Sequence, residues 1–342
     1  MTDIELDRMD LDLIAALQHA PRAPFDVLAR ALDSSARTIT RRYARLVDAG
    51  VLTVICEVDW SLLAEGMPVN VWIQAEPGQA AKVAKQLSDR PDTTFVATTT
   101  GTGDVFCMLH GTTRAATAAA VANDVPGIAG IHSLRTEWVL RRLTSTAAWR
   151  LPRLDPTQIA ALSAHAITPD PTTAELGAHL SDLERATIDL LRNDARLAYS
   201  CIARALDITE SRARRTVAPM LDSGLLRPRV EVDPRLLGYQ VEAVLGINCR
   251  PHAVNRLAAS LTEHPATRFL ALTGATTMLT YVGVFHDEQQ LADFLTSDFP
   301  GSEEITSVEC SLQLDVFKRY WIPRPIPRSH AAKGDPATHR PE

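Results

Sequence analysis

Apolar residues recur at three- and four-residue spacing from the start of the chain. Leu6, Met9, Leu13, Ile14 and Leu17 share one face of a first helix that closes near Pro21. A second short helix is predicted over residues 25–32, burying Phe25, Leu28, Ala29 and Leu32. Ser35 is placed to cap a third helix, 36–49, whose inner stripe is Ile39, Tyr43 and Leu46 and which Gly50 stops. Residues 51–58 then alternate as a short strand. From Pro68 the period changes: strands at 69–75, 93–100, 105–110 and 131–143, with helices at 79–88 and 114–123. The order βαββαβ is that of a ferredoxin-like unit, an antiparallel sheet with helices on one face. The uncovered face of such a sheet is apolar and wants a partner.

The chain then repeats itself. Residues 28–33 (LARALD) return at 202–207 (IARALD), and 46–52 (LVDAGVL) at 220–226 (MLDSGLL). Val125-Pro126-Gly127 returns as Phe299-Pro300-Gly301. The offset is 174 each time (203 − 29, 224 − 50, 300 − 126), too long for a solenoid repeat of roughly 20–50 residues, so a whole domain pair is duplicated. The second ferredoxin-like unit is predicted as 241–248, 252–264, 267–273, 278–285, 287–297 and 305–316. The expected layout is a helix-turn-helix domain at 1–60, a ferredoxin-like domain at 66–144 and a linker at 145–181. A second, divergent helix-turn-helix domain follows at 182–234, a second ferredoxin-like domain at 238–320 and a disordered tail at 323–342. The linker carries Pro152, Pro156, Pro169 and Pro171 and one short helix at 156–165.

Composition adds limits. With 46% apolar and 22% charged residues in 342, the chain is that of a globular protein with more than one core. No apolar run reaches the roughly 18 residues of a membrane span and no signal peptide is visible, so a cytoplasmic protein without a membrane partner is expected. Five scattered cysteines and ten histidines lack metal-ligand spacing, and no P-loop, G-x-S-x-G or complete dinucleotide fingerprint occurs. No metal, cofactor or catalytic residue is therefore assigned. The five tryptophans (Trp60, Trp72, Trp138, Trp149 and Trp321) are expected in cores or interfaces.

The net charge of −6 hides a local excess of the opposite sign. Between residues 30 and 45 five arginines face one aspartate, +4; between 204 and 219 four arginines face two acidic residues, +2. Three short helices with a tight turn and an Arg- and Thr-rich third helix make a helix-turn-helix signature, in which the third helix enters the major groove of double-stranded DNA. Its arginines then meet phosphates or guanine edges. The candidate DNA-contacting residues are Ser35, Arg37, Thr38, Thr40, Arg41, Arg42 and Arg45, with Ser211, Arg212, Arg214 and Arg215 in the second copy. Arg42 becomes Thr216 and Arg45 becomes Pro219, so the second recognition helix is expected to be kinked or short and the first copy to dominate affinity.

These residues resemble the Lrp/AsnC (leucine-responsive/asparagine-responsive) transcriptional regulators. The resemblance is carried by Leu6-Asp7 with Asp10 and Ile14, Leu28-Ala29-Arg30, Ser35, Arg42 with Leu46, and Gly50-Val51-Leu52. Thr100-Gly101-Thr102-Gly103-Asp104 and Pro126-Gly127-Ile128 extend it. It implies a winged helix-turn-helix joined to a RAM-type sensor domain that pairs through its sheet. It also implies a small-molecule effector, an amino acid or relative, near the turn between the second and third strands. The candidate ligand residues are Thr100, Gly101, Gly103 and Asp104, with Thr273, Gly274 and Thr277 in the second copy. There 101–104 aligns with 274–277 and the carboxylate is lost. Asp104 alternatively caps a tight hairpin. Two copies in one chain are expected to form an internal pseudo-dimer, and homo-oligomers can build on it. Two alternatives stand beside a DNA-binding regulator. One is an enzyme like the sirohaem decarboxylases, which resemble the same fold pair, although segments 95–101 and 269–274 hold no histidine. The other is a metabolite-sensing subunit with weak DNA binding.

Overall fold

The computed structural model describes residues 5–58, 65–144, 148–166, 180–299 and 302–324. Trp60 and residues 325–342, most of the expected tail, lie outside the described residues. The chain folds into two helical units that share one core and a β-barrel built by both copies.

The first helical unit comprises α1 (Arg8–His19), α2 (Phe25–Ala31) and α3 (Ala36–Asp48), followed by β1 (Leu52–Val58). The second comprises α7 (Asp182–Asn193), α8 (Tyr199–Leu206) and α9 (Glu210–Asp222), followed by β6 (Leu226–Val232). Contact between the units is reciprocal. Arg22 donates to the Ala195 carbonyl, while its equivalent Arg196 donates to the carbonyls of Pro21 (2.6 Å) and Ala23 (2.9 Å). Arg22 also lies over the Tyr199 ring and Arg196 over that of Phe25, again 174 residues apart. Strands β1 and β6 pair antiparallel with Ile55 opposite its own counterpart Arg229, which puts a pseudo-two-fold axis through that pair.

The barrel halves are β2 (Val69–Ala75), α4 (Ala80–Ser88), β3 (Thr93–Thr99), β4 (Val105–Leu109), α5 (Arg114–Ala119) and β5 (Ile131–Thr144), then β7 (Val241–Cys249), α10 (Val254–Glu263), β8 (Thr267–Gly274), β9 (Leu279–Phe285), α11 (Glu288–Asp293) and β10 (Ile305–Arg319). Both α5 and α11 run on into a π-helical turn, at Ala120–Asp124 and Phe294–Asp298. Within each copy the strands pair in the order β3-β4-β2-β5 and β8-β9-β7-β10. The copies join twice, β5 to β8 and β10 to β3, with matching register: Val139 faces Thr273 as Gln313 faces Thr99. Eight strands thus close on themselves, and neither sheet keeps a free edge. Alternation explains the layers. On β4, Val105, Cys107 and Leu109 pack toward the helices, while Phe106 belongs to an inner cluster with Trp72 and Val244.

Two expectations need correction. Residues 145–181 are not a free linker throughout. The short helix expected there is present, α6 (Pro156–Leu162) with a further turn at Ser163–His165, but Trp149, Leu151 and Leu162 are buried in the core of the helical units. Gln18 accepts from the Leu151 amide at 2.8 Å, and the Trp149 indole donates to the Pro265 carbonyl at 3.1 Å, so the segment straps helices to barrel. The tail also begins later than expected: Ile322–Pro323 (β11) pairs with β10, and Arg324 reaches Glu231 at 2.5 Å.

Candidate nucleic-acid interface and effector cleft

Helix α3 starts under Ser35, whose hydroxyl accepts from the Thr38 amide at 3.1 Å, and α9 under the equivalent Thr209, which accepts from Arg212 at 3.2 Å. Just before each cap, Asp33 and Asp207 turn the chain in the left-handed conformation (φ 49° and 52°), which aspartate tolerates. Ile39 and Leu46 anchor α3 inward; Ala213, Val217 and Met220 anchor α9.

Outward, Arg37 and Arg41 are exposed, and neither makes an ion pair or hydrogen bond with another described residue. Thr38 shares a 2.9 Å hydrogen bond with Ser35, and the Thr40 hydroxyl donates to the Ala36 carbonyl at 2.8 Å. In the second copy Ser211, Arg212 and Arg215 are exposed in the first turns, and Arg214 lies over Tyr199, 5.1 Å from the ring centre.

Arg42 and Arg45 are placed differently from the expectation. Arg42 donates to Asp7 (2.7 Å) and Asp10 (2.7 Å), and Arg45 also pairs with Asp10, whose side chain is fully buried. The Arg42 hydrogen bond holds the Asp7 carboxyl below the usual carboxylate range, and Asp7 in turn raises Arg42. These arginines tie α3 to the start of α1, where Asp7 and Asp10 form the cap. The sequence carried the signal: the counterparts of Asp7, Arg42 and Arg45 are Ser181, Thr216 and Pro219, while Asp10 keeps a carboxylate as Glu184. Thr216 and Pro219 therefore replace struts, and the argument for a weaker second reader loses its basis. Nor is α9 shortened, since α3 and α9 each span 13 residues with Pro219 inside α9. A proline three residues from the helix end removes only one late backbone donor.

The turn 101–104 lines an open cleft of ≈ 350 Å³ together with Gln74, Glu76 and His132. The exposed Asp104 accepts from the Ala75 amide at 2.8 Å, which gives the capping role a concrete partner. Gly101 has φ +87°, and a Cβ there would stand 2.9 Å from Ser311 Oγ of the second copy. Thr100 lies on the seam, its hydroxyl accepting from the Leu312 amide at 3.0 Å.

The second turn is differently aligned than expected. Thr99 donates to the Gly103 carbonyl (2.7 Å) as Thr273 does to that of Thr277 (2.9 Å), so the offset stays 174. Thr277 is thus the counterpart of Gly103, and Met278 that of Asp104. Thr273 and Thr277 are buried, with Thr277 donating to Glu137 at 3.0 Å. Gly274 faces Trp138 across the seam. These three are structural seam residues and do not join the Asp104 cleft.

Cys56 and Cys107 are buried and free, and burial pushes both thiols up to about 12. Among the described residues no His, Cys, Asp or Glu group could hold a metal ion, and no helix is long and apolar enough to cross a membrane.

Comparison with known proteins gives one matching domain model, the AsnC-type helix-turn-helix domain, over residues 6–47. An uncharacterized helix-turn-helix-type transcriptional regulator of Pyrococcus furiosus is 32% identical over 141 residues, 41% of this chain and 95% of the relative. The transcriptional regulator LrpA of Pyrococcus abyssi is 26% identical over 140 residues, 41% of this chain and 99% of the relative. Among solved structures, the siroheme decarboxylase NirDL superposes with a TM-score of 0.60 at 12% identity, covering 92% of this chain and 93% of that one. That likeness is one of fold.

Proposed function

The chain belongs to the Lrp/AsnC family of helix-turn-helix transcriptional regulators, and from that premise we propose that one molecule presents two DNA-reading helices governed by a small-molecule effector. The observation that carries the reading is the pair of capped helices, α3 and α9. Arg37 and Arg41 on one, and Arg212 and Arg215 on the other, stand exposed and unpaired among the described residues. Guanidinium groups in that state are available to phosphates and to guanine edges. The strand order 4-1-3-2 in each barrel half supports two ferredoxin-like sensor domains, and the reciprocal Arg22 and Arg196 contacts support an internal pseudo-dimer. The two readers share Arg41/Arg215 but differ at Arg37/Ser211, Thr38/Arg212 and Thr40/Arg214, which suits an operator with two unlike half-sites.

For the effector, Asp104 and the amides around Gly101 and Gly103 offer an ammonium acceptor and carboxylate donors in the ≈ 350 Å³ cleft, which suits an amino acid. Titrating the full chain onto its own upstream DNA at two salt concentrations tests the main reading. Binding that weakens steeply with salt is expected; no binding at low salt overturns it. A thermal-shift screen of amino acids, repeated on Asp104→Asn, tests the effector site.

The decarboxylase reading has the overall fold in its favour. Segments 95–101 and 269–274 carry no histidine, although His110 and Arg268 just outside them line an internal cavity. That pocket measures ≈ 120 Å³ and is partly open to solvent.

A further inference from the structure

The two halves of the barrel are not interchangeable across its lumen. Around the ring each strand has its counterpart as fourth neighbour in either direction. Counterpart residues therefore face one another across the lumen, and the pseudo-two-fold axis runs along it. Alternation decides which side chains point there. From β2 and β4 come Asn70, Trp72 and Phe106; from β7 and β9 come their counterparts Val244, Gly246 and Thr280.

Unlike residues match at each place. Asn70 is fully buried, and its amide donates to the Thr280 hydroxyl at 3.1 Å. The reciprocal pair, Val244 and Phe106, lies in one apolar cluster with Trp72. Polar thus meets polar on one side of the axis, and apolar meets apolar on the other. Bulk divides in the same way. Trp72 lies over Gly103, where an added Cβ would stand 3.5 Å from the indole. In the other copy the small residue is Gly246 and the larger one Thr277, whose Cγ2 would stand 2.7 Å from a Cβ at 246. That threonine donates to the buried Glu137 at 3.0 Å, and Thr280 reaches the same carboxylate at 3.4 Å. The counterpart of Glu137 is Ser311. Nearer solvent, Arg135 donates to Glu309, its own counterpart, at 2.8 and 3.4 Å, with each side chain about one-third exposed.

A like pairing breaks these matches. Two first halves would crowd two Trp72 indoles and two Phe106 rings into one lumen. Each Asn70 would then face a phenylalanine in place of a threonine, a buried amide left without its partner. Two second halves would set Glu309 against Glu309 with no arginine between them, and would leave empty the space that Trp72 and Phe106 fill.

We propose that the lumen is a recognition surface whose fitting partner is the unlike half, so that every assembled barrel holds one first copy and one second copy. Chains therefore do not trade halves like for like, and the two unlike helical units always occur together in equal number. The proposal rests on the internal pseudo-dimer and adds to it the rule that selects the partner. The tether between the copies raises the chance that two halves meet; the lumen decides which two remain together.

The test uses the full chain with a protease site inserted after residue 172, a tag on the first half, and cleavage after folding. The cut protein is unfolded in urea, diluted back and weighed by native mass spectrometry, which separates first–first, first–second and second–second pairs. Random pairing gives like and unlike pairs in equal amounts. Expected is the first–second pair, with like pairs together at least tenfold scarcer. Like pairs above that share overturn the proposal and leave the pseudo-dimer standing, whereas halves that separate on cutting, before any urea, overturn the pseudo-dimer itself. Should the cut halves not refold, the intact chain decides. There Arg135→Glu lowers the urea midpoint, because it adds a carboxylate beside Glu137 and Glu309. Adding Glu309→Arg restores at least half of the loss by returning unlike charges to counterpart positions. A double variant no more stable than Arg135→Glu alone overturns the proposal.

Discussion

The bridge from α3 to α1 gives a prediction that separates an internal strut from a DNA contact. Asp10 is buried without exposure and takes Arg42 at 2.7 Å, with Arg42 about one-fifth exposed. Charge-assisted hydrogen bonds of this burial contribute about 1.5–3 kcal/mol. The arm from Arg42 to Asp7 is more than half exposed on the aspartate side and contributes about 0–1 kcal/mol. Arg42→Met is therefore expected to cost about 2–3 kcal/mol, and a double-mutant cycle with Asp10→Asn to return a coupling of about 1.5–3 kcal/mol in urea unfolding. The pH dependence has a definite sign. Asp7 titrates below its unfolded value of about 3.9, so its contribution is complete above that pH. It is lost as pH falls through the lower folded value. DNA binding supplies the contrast. Arg42→Met should leave the salt slope of operator binding unchanged, whereas Arg41→Ala should reduce its magnitude by about 0.9. A coupling below about 0.5 kcal/mol, together with a salt slope reduced by Arg42→Met, would refute the strut.

Other consequences follow from the same geometry. Arg41→Ala and Arg215→Ala should lower operator affinity by similar factors in an anisotropy titration, because both arginines are exposed on helices of equal length; loss confined to one reader would restore the asymmetric view. Gly101→Ala should cost about 1–3 kcal/mol in chemical unfolding, since the turn holds φ at +87° and Ser311 stands 2.9 Å from the added Cβ. Burial raises Asp233, but the hydrogen bond and charge of Arg235 outweigh it and hold the carboxyl at about 2. Its contribution, on the order of 1–2 kcal/mol, is complete above about pH 4 and fades toward pH 2. Asp233→Asn should flatten acid unfolding in that window.

Much of the fold was legible because its signals are local. Helical spacing, Ser35 and Gly50 marked the helix-turn-helix, and alternation marked the strands, since each depends on neighbours within a turn or two. The constant offset of 174 marked a duplicated domain pair, and the two repeats meet edge to edge at the seams β5–β8 and β10–β3. What escaped depends on contacts far apart in sequence. Arg42 and Arg41 are adjacent on one helix and read alike, yet only one meets Asp10, 32 positions earlier. The segment at 148–166 looked like a linker because Pro152 and Pro156 interrupt its local pattern and most of its residues are exposed, while its buried anchors Trp149, Leu151 and Leu162 are spaced without period. Arg268 gave no signal at all, because a bulge rather than a motif turns it inward.

The pseudo-two-fold axis shows what a fused chain permits that a homodimer forbids. In a homodimer the residue on the axis meets a copy of itself, so an arginine there would face an arginine and an isoleucine an isoleucine. Here Ile55 faces Arg229, and Arg229 lies within ion-pair range of Glu57 (3.9 Å) and of its counterpart Glu231 (2.6 Å). One arginine thus serves two equivalent glutamates, a solution open only when the two halves differ. Replacing it with the residue of the first copy, Arg229→Ile, leaves two buried carboxylates flanking the axis, paired among the described residues with Arg142, Arg319 and Arg324. Removing one partner from a buried ion pair costs about 3–5 kcal/mol, and the remaining arginines cut this to about 2–4 kcal/mol. The variant should therefore unfold at lower urea. A variant as stable as the parent at pH 7 would mean that the axis tolerates either residue, and that divergence there is drift rather than a use of the fusion.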